Sequence, residues 1–402
     1  MGGTVLGERP PRRNDIDWLR IAAVLLLIPY HTARCFNWED DFYVKNDPPW
    51  QPAQRFVEFV NPWQMSLLFL LAGAGTWLAF RHRGPREYVG ERAKRLLIPF
   101  VFGLIVIVPP QTWWGYLWHG KGDLSYWAYY PRFWTTVDEN VEGFQGGFSP
   151  GQLWFILFLF VSSLVGLPIF LWLKNRASGK AVQRGLGRLS QVPGLLLLVP
   201  ALILVLPWLE KDDDMSGQPW IGLFIIVILG FMLLGDERIG RVIDRDWVWL
   251  LGVGMTASIL YIWAEPRAGG WGYELRNAVY VGMKYLYEIG VWGMILGLLG
   301  LGHRLMTAGG RVLRYSTEAA YPFYILHQTV IIGVAYVVCG WDWPAWAKFT
   351  VIVIVSLGLT LGLYEVAVRR WGPVRFLFGM KPRKRAAPAA PAEPAAPPAS
   401  PA

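Results

Sequence analysis

The chain has 402 residues, 54% of them hydrophobic and 17% charged, with 23 tryptophans and a formal net charge of +9. A soluble chain of this length carries nearer a quarter charged residues, and here the apolar residues fall in blocks of about 20, the length that crosses a bilayer as a helix. The basic residues crowd the connections between those blocks, which argues against a nucleic-acid partner and for an all-α, polytopic integral membrane protein.

Ten blocks are legible in chain order: 17–35, 63–80, 96–118, 152–173, 193–209, 219–235, 247–263, 280–301, 317–338 and 346–368. About ten transmembrane helices are therefore expected. No small-x-small cleavage site follows the first block, so it does not read as a cleavable signal peptide. Lys and Arg cluster at Arg9–Arg13, Arg81–Arg95, Lys174–Arg188, Arg238–Arg245, Arg304–Arg314 and Arg369–Arg385. The connections between are acidic: Glu39–Asp41, Asp138–Glu139, Glu210–Asp214 and Asp342. This alternation is the positive-inside pattern, and it puts both termini in the cytoplasm.

The chain then divides into a cytoplasmic lead (1–16), a membrane domain (17–372), a basic juxtamembrane segment (373–385) and an Ala/Pro-rich tail (386–402) expected to be disordered. Asp15 and Asp17 suit the positive N-terminal end of the first helix and can cap it.

The first block carries Arg20 and His31, eleven positions apart. Eleven helical steps of about 100° return to nearly the same face, roughly 16 Å along the axis. Polar groups this deep in lipid are costly and face a protein interior or a wet cavity. Pro29, before Tyr30 and His31, cannot donate to the Leu25 carbonyl and should bend the helix. An imidazole here suits a general base, or merely a bond to a neighbouring helix. Arg20 near the rim suits an anion, or simply snorkels to headgroups.

At the entrance to the third block, Arg92 and Arg95 lie three positions apart and can share a face that clamps phosphates; alone they also read as flanking charge. The outer connection 119–151 holds Trp127, Tyr129, Tyr130, Trp134, Phe144 and Phe148, an interfacial belt or a surface for stacking on sugars. Glu288 lies inside the eighth block and can pair with an arginine. The ninth block runs Ser316 … Tyr321, Tyr324, His327, each of the last three one turn from the next, a stripe that lines an interior as a proton relay or as helix–helix glue. Glu365, ending the tenth block, is four residues from Arg369 and reads as a rim ion pair or as part of a site. Cys35 and Cys339 read as two independent small apolar residues or as a pair. No metal or nucleotide fingerprint occurs.

Taken together, Arg20 with His31, Arg92 with Arg95, Trp154-Phe155 at the start of the fourth block, and Ser316 to His327 resemble the motifs of membrane acyltransferase family 3. These are ten-helix enzymes that O-acylate carbohydrates. The resemblance runs from about residue 14 to 380. Asp17-Trp-Leu-Arg20, Tyr30-His31 and Tyr324-Ile-Leu-His327-Gln328 look most like the branch that modifies periplasmic glucans. Ile21, Ala72-Gly73 and Gln152 depart from the pattern; where Gln152 stands, a His often precedes Leu-Trp-Phe.

The resemblance implies a bacterial inner-membrane O-acyltransferase with acyl-CoA as co-substrate and no tightly bound cofactor. Arg92 and Arg95 would hold the CoA phosphates, and His31 and Arg20 would act on the acyl group. Tyr30, Ser316, Tyr324, His327 and Glu365 would support them. The acyl group, succinyl or acetyl, would go to an envelope glycan. A proton-coupled glycan or lipid transporter is the alternative reading, and a structural membrane partner a third.

Overall fold

The computed structural model describes residues 13–39, 42–137, 144, 146–210, 218–268 and 277–381. The disordered tail expected at 386–402, most of the lead, and the acidic residues Asp40, Asp41, Asp138, Glu139 and Asp212–Asp214 lie outside them.

The chain is an all-α, polytopic membrane protein. Among the described residues the only β feature is one isolated bridge, Val137 to Phe148. Fourteen helices follow one another: α1 Asn14–Arg34, α2 Gln51–Phe80, α3 Pro85–Trp118, α4 Tyr126–Thr135, α5 Trp154–Val165, α6 Leu167–Asn175, α7 Ala177–Leu189, α8 Leu195–Glu210, α9 Trp220–Leu233, α10 Glu237–Ala268, α11 Ala278–Leu305, α12 Arg311–Val338, α13 Ala345–Val368 and α14 Gly372–Leu377.

Seven of these are long and apolar enough to cross a membrane: α1, α2, α3, α10, α11, α12 and α13. The pair α5 and α6, bent by 48° at Gly166, makes an eighth if it is one broken span. The remaining two expected spans fall on α8 and α9, of 16 and 14 residues, short of the roughly 20 that cross a bilayer unaided. Among the described residues seven to eight helices thus meet the length and composition of a span, and the count of ten is not confirmed.

Local chemistry explains the irregularities. α1 breaks at Leu26, between Asn14–Leu25 and Leu27–Arg34, where the carbonyl of Leu25 has lost the donor that Pro29 cannot supply. Asp15 and Asp17 lie in the first turn, but no side chain caps this helix. Asp15 is instead clamped by Arg13 at 2.7 and 2.9 Å, and Asp17 accepts from Arg20 at 3.3 Å.

Two backbones meet where α2 passes α9. A Cβ on Gly73 would lie 2.0 Å from the Val227 carbonyl oxygen, and one on Gly230 would lie 2.1 Å from that of Leu70. Small residues let membrane helices approach this closely. The contact holds α2 in place beside the site, and α1, α2, α11 and α12 pack together around it.

Candidate functional site

His31 sits on the second limb of α1, past the Leu26 break, and is half-buried with its Nδ1 fully covered. Its ring lies 5.1 Å from that of His327 on α12, tilted by 45°, and is stacked on Phe42 at 6.1 Å. Tyr30 packs edge-on against His31, and its hydroxyl donates to Asn61 at 2.6 Å. Residues 296 positions apart therefore form one histidine pair.

His327 is fully buried. Its Nδ1 bonds the carbonyl oxygen of Tyr324. A carbonyl only accepts, so Nδ1 carries the proton and Nε2 is the basic atom. That Nε2, like Nδ1 of His31, is covered and has no hydrogen-bond partner among the described residues. Two facing imidazoles, each with a covered ring nitrogen that has no hydrogen-bond partner among the described residues, can take up or hand on a proton.

Tyr324 separates this pair from a large cavity. Its ring lies 5.6 Å from His327 on one side and 5.5 Å from Phe155 on the other. Its hydroxyl donates to the carbonyl of Gln152, whose side-chain amide donates to the Ile325 carbonyl at 2.9 Å. The turn before α5 is thus tied twice to α12, one turn ahead of His327. The cavity measures about 910 Å³, within the range of small-molecule and cofactor sites. Leu68, Phe155, Tyr321 and Tyr324 line its inner end.

Its mouth is strongly basic: eight basic side chains line the cavity against two acidic ones, Glu91 and Glu318. Arg92 is held by the Thr76 hydroxyl at 2.9 Å and lies 5.0 Å over the Tyr88 ring. Arg95 pairs with Glu91 at 3.2 Å, and Arg83 pairs with the same carboxylate. Directly after Arg92 the helix widens into a π turn, Ala93–Leu97, that carries Arg95, and both arginines line the cavity. Such π turns recur at functional sites.

Beyond α13 the chain folds back under this mouth. Arg375 on α14 is buried, pairs with Glu318 at 2.7 Å and donates to the Lys381 carbonyl at 3.0 Å. Gly379, with a positive φ of 66°, leaves a Cβ only 2.9 Å from the Arg95 carbonyl oxygen. Residues 372–381 form a floor.

The structure brings His31, His327, Tyr30 and Tyr324 together, and separately gathers Arg20, Arg92 and Arg95 around the cavity. Arg20 and His31 do not share one void: the cavity stops at Tyr324. Ser316 lies off its wall, while Thr317, Glu318, Ala320 and Tyr321 line it. Glu365 forms the rim ion pair with Arg369 at 3.0 Å and is not on the wall either.

Among the described residues Glu288 has no arginine partner. It accepts from Trp208 at 2.8 Å and Gln218 at 2.9 Å, far along another face, with Lys284 one turn away. Gln152, Thr76, Glu318 and Arg375 were not singled out as site residues by the sequence. Only the departure at Gln152 hinted at one.

The aromatic outer segment forms α4, with Tyr129 and Phe133 buried and Trp127 and Trp134 exposed. Cys35 and Cys339 are buried free thiols. Burial pushes the Cys35 thiol well up and that of Cys339 to about 12.

Compared with known proteins, residues 13–365 match the acyltransferase domain of acyltransferase family 3. Relatives named glucans biosynthesis protein C, from Salmonella paratyphi A, Salmonella agona and Salmonella schwarzengrund, are 23% identical over 390 residues, 92% of this chain and 96% of theirs. No solved structure matches the chain.

Proposed function

Because this chain belongs to acyltransferase family 3, we propose that it is an inner-membrane O-acyltransferase that moves a succinyl or acetyl group from cytoplasmic acyl-CoA to a hydroxyl of an envelope glycan. The observation that carries this reading is the basic cavity ending at Tyr324, with two imidazoles directly behind it. CoA is a polyanion, and the arginine-rich mouth suits its phosphates. Arg92 and Arg95 hold them, with Arg20 at the opposite wall. The relatives' name supports a glucan as acceptor.

The thioester enters along Phe155 and passes Tyr324. The sugar hydroxyl arrives from the opposite, outer end. His31 takes the hydroxyl proton as the oxygen attacks the thioester carbonyl. The C–S bond breaks, the ester forms, and the thiolate leaves with the proton from the imidazolium. His327, fixed as the Nδ1–H tautomer, stands ready to exchange that proton through Nε2. The closed contact at Tyr324 keeps water from the thioester between turnovers.

The test is acyl transfer by the purified protein in vesicles, with labelled acetyl-CoA and succinyl-CoA and an envelope glycan extract. Wild type is expected to label glycan, and His31→Gln to lose about 10²-fold or more with an unchanged melting temperature. Full retention in His31→Gln removes His31 as base. No label with either donor favours the proton-coupled transporter, for which flux of unmodified glycan is the readout.

A further inference from the structure

Gln64 lies on α2 one turn beyond Leu68, past the inner end of the basic cavity. On α2 the cavity wall is made by Leu68, Ala72, Gly75 and Ala79, and their spacing from Gln64 keeps all five on one helix face. Ala72, Gly75 and Ala79 are small, and a Cβ on Gly75 meets nothing within 4 Å. This face is a smooth track from Gln64 to the mouth, where Thr76 holds Arg92 at 2.9 Å.

Gln64 itself is 1% exposed. Its Nε2 donates to the Ala23 carbonyl at 2.9 Å. A carbonyl only accepts, so this bond settles which end of the amide is which. The other end, Oε1, is covered and has no hydrogen-bond partner among the described residues. A buried acceptor without a donor is costly, and folded proteins keep few of them. As glue between α1 and α2, Gln64 needs only its Nε2. On the facing wall Tyr321 of α12 lines the cavity, and its hydroxyl is likewise covered and has no partner among the described residues. Two unmatched groups thus flank the passage, an acceptor on α2 and a donor on α12.

We infer that Oε1 of Gln64 binds the N–H of the pantetheine amide nearest the sulfur, and that the α2 face carries the arm from there to the arginines. The inference rests on the acyl-CoA reading above and deepens it. An arm with two amides brings both an N–H for Gln64 and a carbonyl for Tyr321. From Gln64 to Thr76 the helix rises about 18 Å. In an extended arm eleven bonds, each advancing about 1.2 Å, join that amide nitrogen to a phosphate oxygen, and a hydrogen bond of about 3 Å at each end brings the span to about 19 Å. The Ala23 carbonyl that pins Gln64 points toward Leu27, one turn short of His31. The thioester carbon, four bonds and about 5 Å beyond the amide nitrogen, then reaches the imidazole once the contact at Tyr324 opens.

The experiment uses the full chain in vesicles with a glucan acceptor. It measures kcat/KM for succinyl-CoA and acetyl-CoA, each against an analogue in which that one amide is an ester, its N–H replaced by oxygen. Wild type is expected to favour the amide about fivefold or more, the worth of one buried hydrogen bond. Gln64→Met keeps the length of the side chain and removes the acceptor, and the preference is lost. In Tyr321→Phe both forms of the donor lose alike and the preference stands. A disturbance of packing alone would lower amide and ester together and leave their ratio as in wild type. Equal use of amide and ester by wild type, which needs no variant to read, or a wild-type ratio in Gln64→Met, overturns the inference and leaves the acyltransferase reading standing. No transfer from any donor overturns both.

Discussion

At the scale of single residues, the site depends on a few bonds that join distant parts of the chain. Gln152 is the clearest. Its amide and its carbonyl both reach α12, so Gln152→Leu loses the bond to the Ile325 carbonyl and leaves that turn loose. A neutral hydrogen bond contributes about 1 kcal/mol, and Gln152→Leu is expected to lower thermal stability by roughly that amount while lowering kcat. An unchanged kcat would remove Gln152 from the positioning of Tyr324 and His327. The two cysteines make an opposite prediction. Burial raises both thiols, Cys339 to about 12, so the thiolate that reacts is scarce near neutral pH. Maleimide labelling of the folded protein is expected to be negligible at pH 7 and to rise only on unfolding; rapid labelling at pH 7 contradicts the buried placement. Much of the residue list was legible because ionisable groups in apolar blocks are few: His31, His327 and Arg20 stand out inside them, and Arg92 with Arg95 at the entrance to the third. What a one-dimensional reading lacks is adjacency. Nothing in the spacing says that His31 faces His327 rather than Arg20's cavity, or that Glu318 meets Arg375.

At the scale of elements, the helices read well and their lengths less so. The apolar pattern marks α8 and α9, yet over the described residues they run 16 and 14 residues, shorter than the roughly 20 that cross a bilayer. The Pro29 bend was foreseeable from the missing donor. The π turn that follows Arg92 and carries Arg95 was not, since no residue type marks an inserted turn. The Gly73–Gly230 contact gives the element-scale prediction. Gly73→Ala drives a methyl into the Val227 carbonyl, and overpacking of this kind costs about 1–3 kcal/mol. Gly358→Ala on α13 meets nothing within 4 Å and removes a flexible residue from a helix, a gain of about 0.5–1 kcal/mol. Melting temperatures are expected to move in opposite directions. A neutral Gly73→Ala would mean that α2 and α9 do not touch backbone to backbone.

At the scale of the whole molecule, charge is sorted by end. Eight basic groups surround one mouth, and the opposite end holds α4 and its exposed tryptophans. The alternation of basic and acidic connections announced that asymmetry; it gave no hint that the basic end encloses a cavity rather than only meeting headgroups. Binding of a polyanion there is governed by long-range attraction that salt screens. The KM for acyl-CoA is expected to rise with ionic strength in wild type. In Arg92→Ala the KM is expected to be about tenfold higher at low salt, with a shallower salt dependence. An Arg92→Ala protein with wild-type KM would place the phosphates elsewhere.

The floor under that mouth has a consequence for how the protein comes into being. Residues 372–381 are translated after every membrane helix, and Arg375 finds Glu318 only then. Until that moment a nascent chain already seated in the bilayer has an open chamber. Its closed chamber awaits the floor, so synthesis itself sets the time at which the mouth takes its final shape.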